Sequence, residues 1–222
     1  MSSSIQIWQG RLKRLAASAL SDLPVPGVGV TRDLHQAAAD GFSDESGVRR
    51  LIDTAVLARV YNLAPGPMPA GATPDLQWWW ALADGSAHPE PEPTGALTRR
   101  RDDQGIELWT EIELGALHAA WSLAIDREDE SLLVRCMEAC RWHIAELQPD
   151  NATNHAWAIH AFVIYADVYE CPEADLHAQT ILHACLMTSG KPDRFSALLM
   201  LEAADALETW MSQREWGQRV FE

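Results

Sequence analysis

Long apolar runs are missing from this 222-residue chain. None approaches the roughly 20 residues that a helix needs to cross a bilayer, so no membrane role is expected. Cationic side chains are scarce as well, with 17 Lys and Arg set against 32 Asp and Glu, a net charge of −15. Such a surface repels phosphate backbones and anionic headgroups, which argues against nucleic acid or a membrane surface as partner. Cysteine is infrequent too: Cys136, Cys140, Cys171 and Cys185 all fall within helical patterns. They are expected to be reduced core thiols of a cytoplasmic protein, which would leave Asn151-Ala152-Thr153 a glycosylation sequon in form only. Arg11, Lys13 and Arg14 precede a short apolar stretch, Leu15 to Leu20, that Ser21-Asp22 ends at once. It is too brief for a signal peptide, and export is not expected.

Recognisable reaction chemistry is also lacking. There is no glycine-rich phosphate loop, no Gly-x-Ser-x-Gly elbow and no His-Glu-x-x-His pair, so no catalytic residue can be assigned and no cofactor is expected.

What the chain does have is helical periodicity. Ile5, Trp8, Leu12, Leu15 and Ala19 mark an amphipathic helix, which Pro24-Val25-Pro26-Gly27 ends. A short helix near 31–39 and a longer one from the capping residues Ser43 to Ser46 through about Leu63 follow. Residues 64–105 form a Pro- and Trp-rich insertion, seven prolines of which forbid a continuous helix. Within it, Trp78-Trp79-Trp80 suggests a helical turn stapled to the body. Asp102-Asp103-Gln104-Gly105, flanked by Ala96–Arg100 and Ile106–Trp109, reads as a short β-hairpin near 97–109. Thr110 and Glu113 then fit a capping box opening a run of helices at about 111–125, 130–147, 154–169, 173–188 and 194–211. The expected divisions are 1–63, 64–105 and 106–222, within one compact domain.

The last region repeats itself. Ala116-Leu117-His118-Ala119 matches Ala158-Ile159-His160-Ala161 at an offset of 42, and the same step reaches Met200-Leu201-Glu202-Ala203. The first two of these helices carry no Asp, Glu, Lys or Arg between Glu113 and Asp126 or between Asn154 and Asp167. A helix apolar all round must be covered on several sides, so they belong to an inner layer. The third, with Glu202, Asp205 and Glu208, reads as a solvated terminal repeat. The fold class expected is all-α: antiparallel helical hairpins in two layers, in an α/α solenoid arc or partial toroid.

The segments Glu107–Leu114 and Glu146–His160 resemble an uncharacterised family of bacterial helical proteins. The hairpins of 106–211 are similar in architecture to α/α-toroid proteins such as terpenoid cyclases and six-hairpin glycosidases. Six units of this length would exceed the chain, so the resemblance implies an open arc or compact bundle and transfers no catalytic residue.

Three candidate sites emerge. His118, His160 and Glu202 occupy one repeated position and would converge on adjacent inner helices, as ligands or as acid and base. A histidine inside an apolar helix is, however, more often a hydrogen-bonded core residue, and Glu202 could face water. Trp78, Trp79 and Trp80 could stack on a flat ligand, although stapling the insertion is the commoner use. Cys136, Cys140 and His143 share one helix face at zinc-ligand spacing, but that face is also an apolar stripe, so packing is expected and no metal site is assigned. Two functions follow. One is a helical-repeat module binding a protein or small ligand. The alternative is a toroid-type enzyme or ligand-binding protein with a His- and Trp-lined pocket.

Overall fold

A computed structural model describes residues 4–21, 51–147, 153–187 and 190–220. The helix expected near 31–39, the capping residues Ser43 to Ser46 and the Pro24-Val25-Pro26-Gly27 break lie outside them. Among the described residues the fold is all-α and contains no strand. The helices are α1 (Ser4–Ala19), α2 (Leu51–Val60), α3 (Pro74–Asp84), α4 (Ile106–Arg127), α5 (Glu130–Glu146), α6 (Ile159–Tyr169), α7 (Pro172–Leu186), α8 (Arg194–Ser212) and α9 (Arg214–Val220).

Their ends obey local chemistry. Asp129 accepts from the Leu132 amide to cap α5, and Asp193 accepts from the Ser196 amide to cap α8. Pro74 and Pro172 open α3 and α7, where a missing N–H costs nothing. Helix α4 buries an almost unbroken run from Glu113 to Ile125. It can do so because α3, α5, α6 and α8 all pack against it. Helices α4, α6 and α8 also touch one another, α7 lies on α6, and α1 and α2 cover α8.

The hairpin expected near 97–109 is not there. Helix α4 begins at Ile106, and the amides of Leu97 and Thr98 donate to the Glu113 carboxylate at 2.6 and 2.7 Å. Backbone donors already satisfied by a buried carboxylate need no partner strand. The capping box falls for the same reason: Glu113 is committed to the insertion. Thr110 sits inside the helix with its hydroxyl on the Ile106 carbonyl at 2.8 Å. The insertion is held at a second point by Arg135, whose guanidinium donates to the carbonyls of Glu92, Gly95 and Ala96 at 2.6–2.8 Å. A third clamp is Arg127, on the carbonyls of Ala81 and Ser86.

The tryptophans of α3 are all buried, each with its own contact. Trp78 stacks on His88 with centroids 5.0 Å apart, Trp80 donates to the Gly66 carbonyl at 3.0 Å, and Trp79 packs on His118 at 5.0 Å. Helix α8 is not solvated along its length. Helix α1 lies on it through buried Ile5, Trp8, Leu12 and Ala16, and Lys13 pairs with Glu208 at 2.7 Å.

Candidate functional site

Helix α4 carries His118, Ser122 and Asp126 at steps of four, one above another on a single face. Helix α6 brings His160 to that face, α8 brings Glu202 and α2 brings Arg59. The three positions spaced by 42 residues thus meet. The rings of His118 and His160 are 4.5 Å apart, and one ligand atom from each of His118, His160 and Glu202 lies within 4.8 Å of the others. All three are sealed, with relative exposures of 0, 0 and 2 %. Glu202, which could have faced water, is buried because it points at α4 and α2, where His118, Ser122 and Arg59 bond it.

The hydrogen bonds fix the protons. The Ala158 amide donates to His118 Nδ1 at 3.0 Å, so that nitrogen presents a lone pair and the ring proton sits on Nε2. From there it is donated to Glu202 Oε2 at 2.8 Å. The Ser122 hydroxyl also donates to Glu202 Oε2, at 3.0 Å. Its oxygen is then free to accept from His160 Nε2 at 3.2 Å, which assigns the second ring the same tautomer. His160 Nδ1 has no hydrogen-bond partner. Burial first, and His118 second, push the His160 imidazole down to about 3, so it is neutral at pH 7.

Glu202 is pulled two ways. Burial raises its carboxyl, but the hydrogen bond from His118 together with the charge of Arg59 outweighs that and holds it below the ordinary carboxylate range. Arg59 bridges Glu202 Oε1 at 3.3 Å and Asp126 at 2.6 Å. Arg59 and Asp126 are each about one-quarter exposed. The network therefore runs from a sealed imidazole pair to the surface through one guanidinium. It sets two carboxylates against one cation.

The donor at His118 Nδ1 is held there by unusual backbone. Ala158 has φ 52° and ψ 17°, the left-handed region, which costs an L-residue about 1 kcal/mol or more. The segment before it is clamped from both sides. Trp157 Nε1 donates to Glu111 at 2.7 Å, while His155 Nδ1 lies 3.2 Å from the Ser196 hydroxyl and 3.5 Å from Asp193 Oδ2. Trp157 packs close to Gly115, where an added Cβ would make ordinary contact with its ring at 3.6 Å but crowd Asp75 Cβ at 3.3 Å.

Of the sequence candidates, the structure brings together His118, His160, Glu202 and Trp79. Trp78 and Trp80 face other partners. The cysteine set does not form a ligand group. Cys136 and Cys140 are fully buried with thiols pushed up by desolvation, and His143 turns to Glu113 at 3.3 Å. Sequence reasoning missed Ser122, Asp126, Arg59 and Ala158. The first two were legible as a four-residue step from His118; Arg59 and Ala158 left no local signal. Surface hollows of 410 Å³ at Arg99–Asp103 and 590 Å³ around Glu128, Met211, Gln213 and Trp216 have none of the cluster's residues in their walls. No protein-family model, curated protein or solved structure matches this chain.

Proposed function

We propose that this protein is a helical-hairpin repeat module that binds a protein or small ligand through its surface, with the histidine–glutamate cluster as its internal brace. In this reading α4, α6 and α8 are copies of one unit and form the inner layer of two. The 42-residue spacing of His118, His160 and Glu202 supports it, because corresponding side chains of stacked repeats come to one level. The observation that carries the functional half is the sealing of the cluster. Both nitrogens of His118 are occupied by protein groups, and neither imidazole meets solvent. A substrate pocket needs the opposite. With a net charge of −15, the partner that suits the surface is basic or neutral.

The alternative, a toroid-type enzyme or ligand-binding protein lined by His and Trp, draws on the same convergence of imidazoles and carboxylate. Histidine acylation by diethylpyrocarbonate, mapped by mass spectrometry, separates the two. The brace reading expects exposed His183 to react in the native protein, while His118 and His160 react only on unfolding. Native-state reaction of either at the rate of His183 would overturn the brace and favour the pocket.

A further inference from the structure

We propose that His118, His160 and Glu202 form a binding site for one divalent transition-metal ion, which a flip of the Trp157–Ala158 peptide switches on. This goes beyond the surface-binding reading and does not depend on it. Two imidazoles and a carboxylate, drawn from three helices with ligand atoms within 4.8 Å of one another, are a donor set suited to zinc, iron or cobalt. The burial that excludes substrate also excludes competing water. The surrounding charge favours a cation, since Glu202 and Asp126 face a single guanidinium. Arg59 sits on Oε1, which leaves Oε2 on the side of the histidines.

One feature blocks the metal as the cluster stands. Both Nε2 atoms carry their hydrogens inward, and metal ligation there requires the proton on Nδ1. His160 can make that change without displacing a group at its Nδ1, which has no hydrogen-bond partner, and gives up only the bond from Nε2 to Ser122, where the metal would sit. His118 cannot while the Ala158 N–H points at its Nδ1 from 3.0 Å. The strained backbone supplies the remedy. Rotating the peptide between Trp157 and Ala158 replaces that N–H with the Trp157 carbonyl, an acceptor for Nδ1–H, and takes Ala158 φ from 52° to the negative side. The rotation leaves the start of α6 intact, because the Ala161 and Phe162 amides bond to the Ala158 carbonyl, which belongs to the next peptide. Each imidazole proton moves from Nε2 to Nδ1, so loading the metal releases no proton from either ring. Glu111 on Trp157 holds the side chain while its peptide turns.

The test uses the full chain, stripped with chelator and then incubated with Co(II) or Zn(II). One cobalt per chain is expected to survive dialysis and give visible d–d absorption. Zinc at a hundredfold excess over Kd is expected to raise Tm by roughly 5–10 °C. His160→Gln should lower cobalt retention at least tenfold, and Ala158→Gly, which removes the left-handed strain that the flip relieves, should bind cobalt about fivefold more weakly. In ¹⁵N-resolved spectra the Ala158 amide should lose its exchange protection when metal binds. Wild-type protein that neither keeps cobalt nor gains Tm overturns the proposal, whether or not a variant folds. Equal retention by folded His160→Gln overturns it too, assigning the metal to surface carboxylates. Binding that leaves the Ala158 amide unchanged overturns the flip.

Discussion

Replacing Glu202 with Gln tests the brace most directly. The carboxylate accepts from His118 and Ser122 on one oxygen and from Arg59 on the other. A glutamine has the same shape but only one acceptor oxygen. Turned toward His118 and Ser122, its amide nitrogen meets the Arg59 N–H; turned the other way, it meets two donors at once. Either arrangement buries a donor facing a donor and removes one of the two anions from Arg59. Breaking a buried pair by taking away one member costs roughly 3–5 kcal/mol. Arg59 keeps Asp126 and some contact with water, which places the expected loss near the lower end, about 3 kcal/mol. With a urea m-value of roughly 2 kcal/mol/M, the denaturation midpoint should fall by about 1.5 M, by tryptophan fluorescence and far-UV circular dichroism alike. Glu208→Gln is the control. Its pair with Lys13 is exposed, and exposed pairs contribute a few tenths of a kcal/mol, a change of about 0.2 M or less. Indistinguishable midpoints for the two variants would refute the reasoning, since Glu202 would then carry no more than a surface charge.

Further outcomes follow from other buried groups. Burial, then His143, pushes His177 down to about 3, so between pH 6.5 and 3 the unfolded chain binds a proton there that the folded chain does not. Stability is therefore full above pH 6.5 and falls on acidification, by up to about 1.4 kcal/mol per pH unit from this residue. His177→Gln should flatten the pH dependence of the urea midpoint by that amount, and an unchanged slope would contradict the assignment. Arg135→Met should release the insertion, which loses the donor to the carbonyls of Glu92, Gly95 and Ala96. Limited proteolysis should then cut within 87–98 well before global unfolding, and cleavage no faster than wild type would count against the clamp. Native protein should present one fast thiol to Ellman's reagent, the part-exposed Cys171, with Cys136, Cys140 and Cys185 reacting only on unfolding.

Much of the helical frame was legible because apolar spacing at three and four residues records which face is buried. The expected limits of α1, α5, α7 and α8 lie within two residues of those observed. Misreadings cluster where a remote side chain supplies what a local motif would have supplied. Glu113, read as half of a capping box, accepts from Leu97 and Thr98, and so converts an expected hairpin into irregular chain and moves the start of α4 back to Ile106. Helix α6 starts at Ile159 instead of near 154, because Thr153–Ala158 is spent on the clamp around His155 and Trp157. Nothing in the periodicity of either segment encodes those long-range bonds.

By itself the sequence determined a largely helical frame and singled out His118, His160 and Glu202 as one expected level of a 42-residue step, since both are read from residue spacing. Only the tertiary structure decided whether that level is wet or dry. Periodicity assigns a side chain to a face, but what covers the face is settled by distant segments, here α4 and α2 around Glu202. Tertiary structure also decided which nitrogen of His118 holds the proton, because the amide that dictates it comes from Ala158, forty residues away and in a backbone conformation that no local pattern announces.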